Sequence, residues 1–197
     1  MEVIATVLPG VLLVRPRVYR DDRGWFVEAW GRDPYRAHPG LPRDFVQDNL
    51  SCSRPGVLRG LHYQHPNGQG KLIQALRGAI LDVAVDIRRG SPHFGRHVAV
   101  PLAADDPTRL YVPPGFAHGF LVVGDAEALV GYKCTTGYSP GDEGVVRWDD
   151  PDLGIAWPLA GPPLLSPRDA DAPRLADVPA DRLPPFDGTT PRAAPDR

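Results

Sequence analysis

Arg59-Gly60-Leu61-His62-Tyr63-Gln64 carries the first side chain able to do acid–base chemistry. Written as a strand, the run puts Arg59, Leu61 and Tyr63 on one face and Gly60, His62 and Gln64 on the other. A lone strand histidine is ordinarily a packed ring of intermediate burial, so His62 gains a role as base only from its neighbours. Lys71 follows in Gly68-Gln69-Gly70-Lys71, where a flexible loop returns it toward the same place. The chain has two lysines, Lys71 and Lys133, against 20 arginines. Drifted codon usage explains that bias as well as function does. An ammonium is nevertheless the compact charge that suits a developing oxyanion, which a planar guanidinium does not mimic.

A second group lies downstream. Tyr132, Tyr138 and Glu143 precede Leu165-Ser166-Pro167-Arg168-Asp169. Each alone is bland, since tyrosines fill strand faces and acids decorate loops. Together they offer what His62 lacks: a His–Asp pair is an oriented base, and a tyrosine opposite it is a proton donor. Pro113-Pro114-Gly115-Phe116-Ala117-His118 reads Pro-x-Gly-x-x-His, which resembles the second half of the cupin signature, a turn that delivers a histidine into a β-barrel. Metal-binding cupins also need a His-x-His, and this chain offers His62-x-x-His65 instead. Strand residues three apart face opposite ways and share a metal poorly. No metal is expected, and a metal-dependent cupin enzyme is the lesser alternative.

The elements that must position these groups are short strands. With 24 prolines and 21 glycines in 197 residues, turn formers run at about twice their average usage, which cuts helices short. Strand signals fall at 11–17, 25–30, 45–52, 74–77, 79–87, 96–101, 109–112, 120–123, 128–134 and 145–148, with a short helix at 34–38. Many short strands between turn residues predict a sandwich or barrel. Segment 81–88 alternates most cleanly: Leu81, Val83, Val85 and Ile87 oppose Asp82, Ala84, Asp86 and Arg88. For the charged face, solvent is the default and a pocket lining the alternative.

Composition narrows the class. Near 200 residues the chain fits one domain with a real core, here 1–184, with a loop-rich C-terminal region and a tail at 185–197 expected to be disordered. A net charge of −2 argues against a nucleic-acid or membrane-surface binder. No apolar run is long enough to span a bilayer, and Met1–Leu13 lacks the positive start of a secretory signal. Cys52 and Cys134 read as reduced, buried thiols of a cytoplasmic protein.

Longer stretches carry a more specific likeness. Phe45-Val46-Gln47-Asp48-Asn49, Gly56-Val57-Leu58-Arg59-Gly60-Leu61-His62, Gln69-Gly70-Lys71-Leu72, Asp82-Val83-Ala84-Val85-Asp86-Ile87-Arg88, Gly115-Phe116-Ala117-His118-Gly119-Phe120, Tyr138-Ser139-Pro140 and Trp148-Asp149-Asp150-Pro151 together resemble the dTDP-4-dehydrorhamnose 3,5-epimerase family. The likeness runs from about Val11 to Asp169. It implies an all-β cupin jelly-roll barrel with short peripheral helices, a homodimer, and no metal or organic cofactor. It implies epimerisation at C3 and C5 of dTDP-4-dehydro-6-deoxy-D-glucose.

Carried over residue by residue, His62 is the base and Asp169 its orienting carboxylate. Tyr132 is the proton donor, and Lys71 steadies the enolate oxygen. Arg23, Glu28, Gln47, Asp48, Asn49, Arg59, Lys71, His118, Glu143 and Arg168 match substrate-contact positions, and Tyr138 matches a tyrosine near the nucleotide. The ketone of such a substrate acidifies its own neighbours, so no cofactor is needed. One departure stands out. Val130-Gly131-Tyr132-Lys133 is one residue longer than the family spacing after His118. A strand slip there turns Tyr132 to the wrong face unless a bulge at Gly131 restores it. A single-centre epimerase is therefore the alternative. A dimer is expected to pair its edges through 11–17 or 25–30.

Overall fold

Turn residues break the chain so often that nearly every strand ends where it must cross to another layer. The structure, a computed structural model, describes residues 1–188. A six-stranded sheet runs in the order β1 (Glu2–Ala5), β2 (Leu12–Arg15), β10 (Arg109–Val112), β7 (Lys71–Arg77), β12 (Ala128–Cys134) and β5 (Gln47–Ser53). A five-stranded sheet runs β13 (Glu143–Val145), β6 (Leu58–Gln64), β11 (Phe116–Val123), β8 (Ala79–Asp86) and β9 (His97–Ala103). From β5 to β8 the chain changes sheet at every step, the alternation of a cupin jelly roll. A separate hairpin, β3 (Val18–Asp21) with β4 (Gly24–Val27), joins neither sheet. The helices are short: α1 (Arg32–Arg36), α2 (Pro167–Ala170) and two 3₁₀ turns at Leu175–Asp177 and Ala180–Arg182.

Three apolar clusters follow from the alternation of the strands. The first fills the barrel between the sheets, with Ile73, Ile80, Leu110, Phe120 and Val130 at its centre. A second lies behind the five-stranded sheet, where Val146, Leu153, Leu175, Val178 and Leu183 of a C-terminal strap cover Leu61, Tyr63, Val83, Val85 and Ile87. A third sits outside the six-stranded sheet beneath Trp30, Tyr35, Leu41 and Phe45.

The strap corrects the expectation for β8. Because it covers the Val83 and Val85 face, the opposite face looks into the barrel and not into solvent. Asp82 and Asp86 are both fully buried. Asp86 takes Arg88 through Nε at 2.9 Å and Nη2 at 2.6 Å, and Ser91 Oγ at 2.6 Å. Burial pushes the Asp86 carboxyl up, but these bonds hold it below its usual range. The Arg88 guanidinium stacks 4.5 Å from the Phe116 ring and 5.0 Å from Phe186. Gly115, the glycine of Pro-x-Gly-x-x-His, has φ +94, and a Cβ there would lie 2.8 Å from Arg88 Cδ. That position therefore needs glycine on two counts.

Other expectations shift. Pro184–Phe186 run along Arg89, with Arg89 N bonding Pro184 O and Phe186 N bonding Arg89 O, so the expected boundary at 185 falls inside a docked segment. Residues 189–197 of that tail lie outside the described residues. The helix expected at 34–38 sits at Arg32–Arg36. Strands β1 and β3 and helix α2 are four residues each without clear alternation, so no sequence pattern marks them. Strand β2 is paired on both sides, so it is not a free edge. Cys134 is buried, but Cys52 is exposed on the rim of β5. No helix among the described residues is long and apolar enough to cross a membrane.

Removing one partner of a buried ion pair leaves the other charge stranded. Asp86→Ala is expected to lower the unfolding free energy by about 3–5 kcal/mol, read as a fall in the urea midpoint with an unchanged slope.

Candidate active site

Strands β6 and β11 do not pair residue for residue. His118 faces His62, but Phe120 faces Arg59, so three positions on β6 span two on β11. The extra residue sits at Gly60, whose φ is +124 and whose Cβ would fall 2.5 Å from Gly119 Cα. Only glycine allows that approach. The expected alternation is thereby broken: Leu61 and Tyr63 turn to the outer core, whereas Arg59 parts from them. Its Nε bonds Ser53 Oγ at 3.0 Å on β5, and its charge is felt at Tyr132.

His62 Nε2 lies 2.6 Å from Asp169 Oδ1. Asp169 is held by α2, whose N-cap Ser166 Oγ accepts from the Asp169 amide at 3.1 Å. Burial raises the Asp169 carboxyl, but the hydrogen bond and charge of His62, with Ser166 and the Gly60 backbone, pull it below its ordinary value. An ionised Asp169 accepts from Nε2–H, which leaves the Nδ1 lone pair as the basic atom. Beside it, His118 Nε2 lies 2.6 Å from Asp82 Oδ1, and Asp82 Oδ2 is buried without a partner among the described residues. Directly paired residues share a face, so two His–Asp pairs stand side by side.

The facing sheet supplies the remaining groups. On β12, Val130 and Cys134 are fully buried and Tyr132 packs against the barrel core between them. The bulge lies between Leu129 and Val130, where β7 carries the extra residue Leu76, and not at Gly131. Gly131 pairs regularly with Leu50 and Gln74 and looks outward, toward Leu76 and Leu50. Tyr132 therefore keeps the inward face. Burial raises its phenol, the charges of Cys134 and Glu143 add to this, and Arg59 opposes them. The phenol stays protonated at neutral pH.

The ammonium of Lys71, a residue paired with Cys134 across β7 and β12, makes no ion pair or hydrogen bond among the described residues. Burial lowers its ammonium, and Cys134, Glu143 and Asp82 counter this. Gln47 and Asn49 on β5 bond each other at 3.0 Å, and Asn49 Nδ2 reaches Cys134 Sγ at 3.5 Å. At the rim, Glu143 accepts from Tyr138 Oη at 2.8 Å and from Arg168 Nη1. Burial pushes Glu143 up, but Arg168, Tyr138 and His62 bring it below its usual value.

Three predicted residues fall elsewhere. Asp48 alternates to the outer face, where its carboxylate, 68% exposed, binds Lys133 Nζ at 2.8 Å. Arg23 is exposed on the β3–β4 hairpin and pairs with Asp21. Glu28 lines a separate concavity with Tyr35 and Arg109. Sequence reasoning missed the pairing of Asp82 with His118 and the place of Cys134, although the period-two charge on β8 already marked Asp82. Among the described residues no cluster of three or more His, Cys, Asp or Glu is arranged to hold a metal ion.

A family model described as dTDP-4-dehydrorhamnose 3,5-epimerase matches residues 5–177. A relative of that name from Neisseria gonorrhoeae is 51% identical over 169 residues, covering 86% of this chain. The chain spans about half the length of that relative, 51%. The solved dTDP-6-deoxy-D-glucose-3,5-epimerase from Legionella pneumophila, in complex with dTDP-4-keto-L-rhamnose, superposes with a TM-score of 0.90 at 44% identity, covering 94% of this chain and 98% of that one. A 3'-monoepimerase from Streptomyces bikiniensis, in complex with dTDP-quinovose, gives a TM-score of 0.83 at 40% identity, covering 92% of each chain.

The depressed Asp169 carboxyl ties stability to pH. Its contribution is complete above the unfolded value of about 3.9 and is lost as pH falls through the lower folded value. Wild-type and Asp169→Asn proteins should therefore differ in urea midpoint at neutral pH, and the gap should close below about pH 4.

Proposed function

The chain belongs to the dTDP-4-dehydrorhamnose 3,5-epimerase family, and from that premise we propose that it inverts C3 and C5 of dTDP-4-dehydro-6-deoxy-D-glucose, giving dTDP-4-dehydro-L-rhamnose. The observation that carries this reading is the opposition of His62, paired with Asp169 on one sheet, to Tyr132 on the other. Inverting a carbon requires a proton to leave one side of the sugar ring and return on the other. Base and donor must therefore approach from opposite walls.

His62 Nδ1 takes the proton next to the C4 ketone, and the electron pair moves onto the ketone oxygen as an enolate. Lys71, whose ammonium pairs with no carboxylate among the described residues, neutralises that oxygen. Tyr132 then gives its proton to the carbon from the opposite side, and solvent exchange resets both groups. Asp169 holds the imidazolium during the step. The ketone is its own electron sink, so neither metal nor cofactor is required. Arg59 and Arg168 suit the diphosphate, Tyr138 the nucleotide ring, and Gln47, Asn49, His118 and Glu143 the sugar.

Arg23 and Glu28 fit the substrate role only if a second copy presents them. The hairpin that carries Arg23 leaves Tyr19, Trp25 and Phe26 exposed, as a segment meant for another surface would. The proposed state is a homodimer in the cytoplasm. The single-centre alternative drew on a slip at Gly131 that would turn Tyr132 outward, and the inward Tyr132 favours the double epimerase.

Proton NMR of the substrate with the protein in D₂O tests the reading. Deuterium at both C3 and C5, with an L-rhamno product, is expected; exchange at one carbon alone would move the assignment to the single-centre enzymes, and none would end it. His62→Asn should slow exchange about 10²–10⁴-fold, and Lys71→Ala about 10²–10³-fold. Sedimentation should give twice the 21.4 kDa chain mass; a monomer at working concentration would overturn the dimer.

A further inference from the structure

The strap behind the five-stranded sheet also reaches the rim of the site. Arg182, in its last 3₁₀ turn, donates from Nη1 to the carbonyl of Gly141 at 3.3 Å and from Nη2 to the carbonyl of Glu143 at 3.1 Å. Those carbonyls belong to β13 and the turn leading into it. Strand β13 has three residues and one neighbour, β6. An edge strand that short has too few ladder bonds to fix itself.

A second contact locks the same strand. The space where a side chain at Gly144 would begin is filled by the Tyr63 ring, with Cζ 2.1 Å from the ideal Cβ position. The end of the Tyr63 ring therefore sits against the β13 backbone at Gly144. The Arg182 charge acts on this ring, lowering the phenol while burial raises it. Guanidinium and ring thus grip β13 from the strap side.

The Glu143 side chain leaves in the other direction. Its carboxylate holds Tyr138 and Arg168, and its charge reaches Lys71 and Tyr132 as well as His62. One carboxylate thus touches the field of every proposed catalytic group except Asp169, and its backbone is anchored by a residue of the strap. We infer that Arg182 is a positioning residue, clamping β13 so that Glu143, Tyr138 and Arg168 keep one arrangement at the sugar-nucleotide rim. The part concerning substrate rests on the epimerase reading. A guanidinium reaches two carbonyls at once, which an ammonium cannot do with the same fixed fork.

The test pairs amide hydrogen exchange, followed by mass spectrometry on the full chain, with kinetics on the 4-keto sugar nucleotide. Arg182→Gln should speed exchange across 138–146 about tenfold, as expected for two lost hydrogen bonds, while β8 and β11 keep their protection. KM should rise about tenfold with kcat within about threefold, because the His62–Asp169 pair is untouched. Arg182→Lys should recover part of both effects. Unchanged protection across 138–146 would overturn the clamp. So would protection lost evenly over both sheets with kcat falling, the mark of general destabilisation. If the wild type neither exchanges C3 and C5 nor binds dTDP, the epimerase reading fails, while the exchange pattern over 138–146 still decides the clamp.

Discussion

A single 2.6 Å hydrogen bond joins His62 to Asp169 across 107 positions of sequence, and most of the architecture exists to keep it. One end is fixed in the middle of a sheet. The other hangs on a helix of four residues, too short to hold itself without tertiary support. Support comes from the Ser166 cap and from the strap that follows, which buries Leu175, Val178 and Leu183 against the back of the same sheet. The carboxylate is nearly inaccessible yet ionised, because the imidazole, the Ser166 hydroxyl and the Gly60 amide outweigh the cost of burial. A buried acid without that compensation would be protonated and would fix no tautomer.

The second requirement is aim, and two register shifts provide it. On β6 an added residue at Gly60 lets Arg59 leave the outward set of Leu61 and Tyr63. On β7 the added Leu76 lies before Val130, so that the rest of β12 alternates without interruption and Tyr132 stays inward. A one-residue shift exchanges the faces of every later side chain. Bulges in the strands that carry these residues therefore decide which groups can meet between the sheets.

Charge is distributed unevenly among the groups that face one another between the sheets. Lys71 is a half-buried cation with no bonded counter-ion among the described residues, supported at a distance by Cys134, Glu143 and Asp82. Asp82 keeps one oxygen unpartnered. Unpaired buried groups cost stability, and here they sit on the site wall. By contrast, Asp86, a few residues along, is held by Arg88 and Ser91, and the Arg88 guanidinium lies between the rings of Phe116 and Phe186. The polar network is thus closed around Asp86 and left open around Lys71 and Asp82.

Local chemistry in the sequence already determined a good deal. Dense proline and glycine specified short strands, and the alternation of 81–87 identified a strand with one apolar and one charged face. Ordered motifs around His62, Lys71 and His118 carried the family likeness. Tertiary structure alone decided the direction of each face. Alternation shows that two faces differ, but not which is covered, and the covering strap lies some 60 to 100 residues beyond β8. The same limit hid the inward turn of Tyr132, since a bulge is a relation between two strands and Leu76 is an ordinary leucine. It also hid the outward position of Asp48, whose neighbours Gln47 and Asn49 face the site. The pairing of Asp82 with His118 and the reach of Arg182 to β13 depend on contacts between distant segments, and no local pattern encodes a distance.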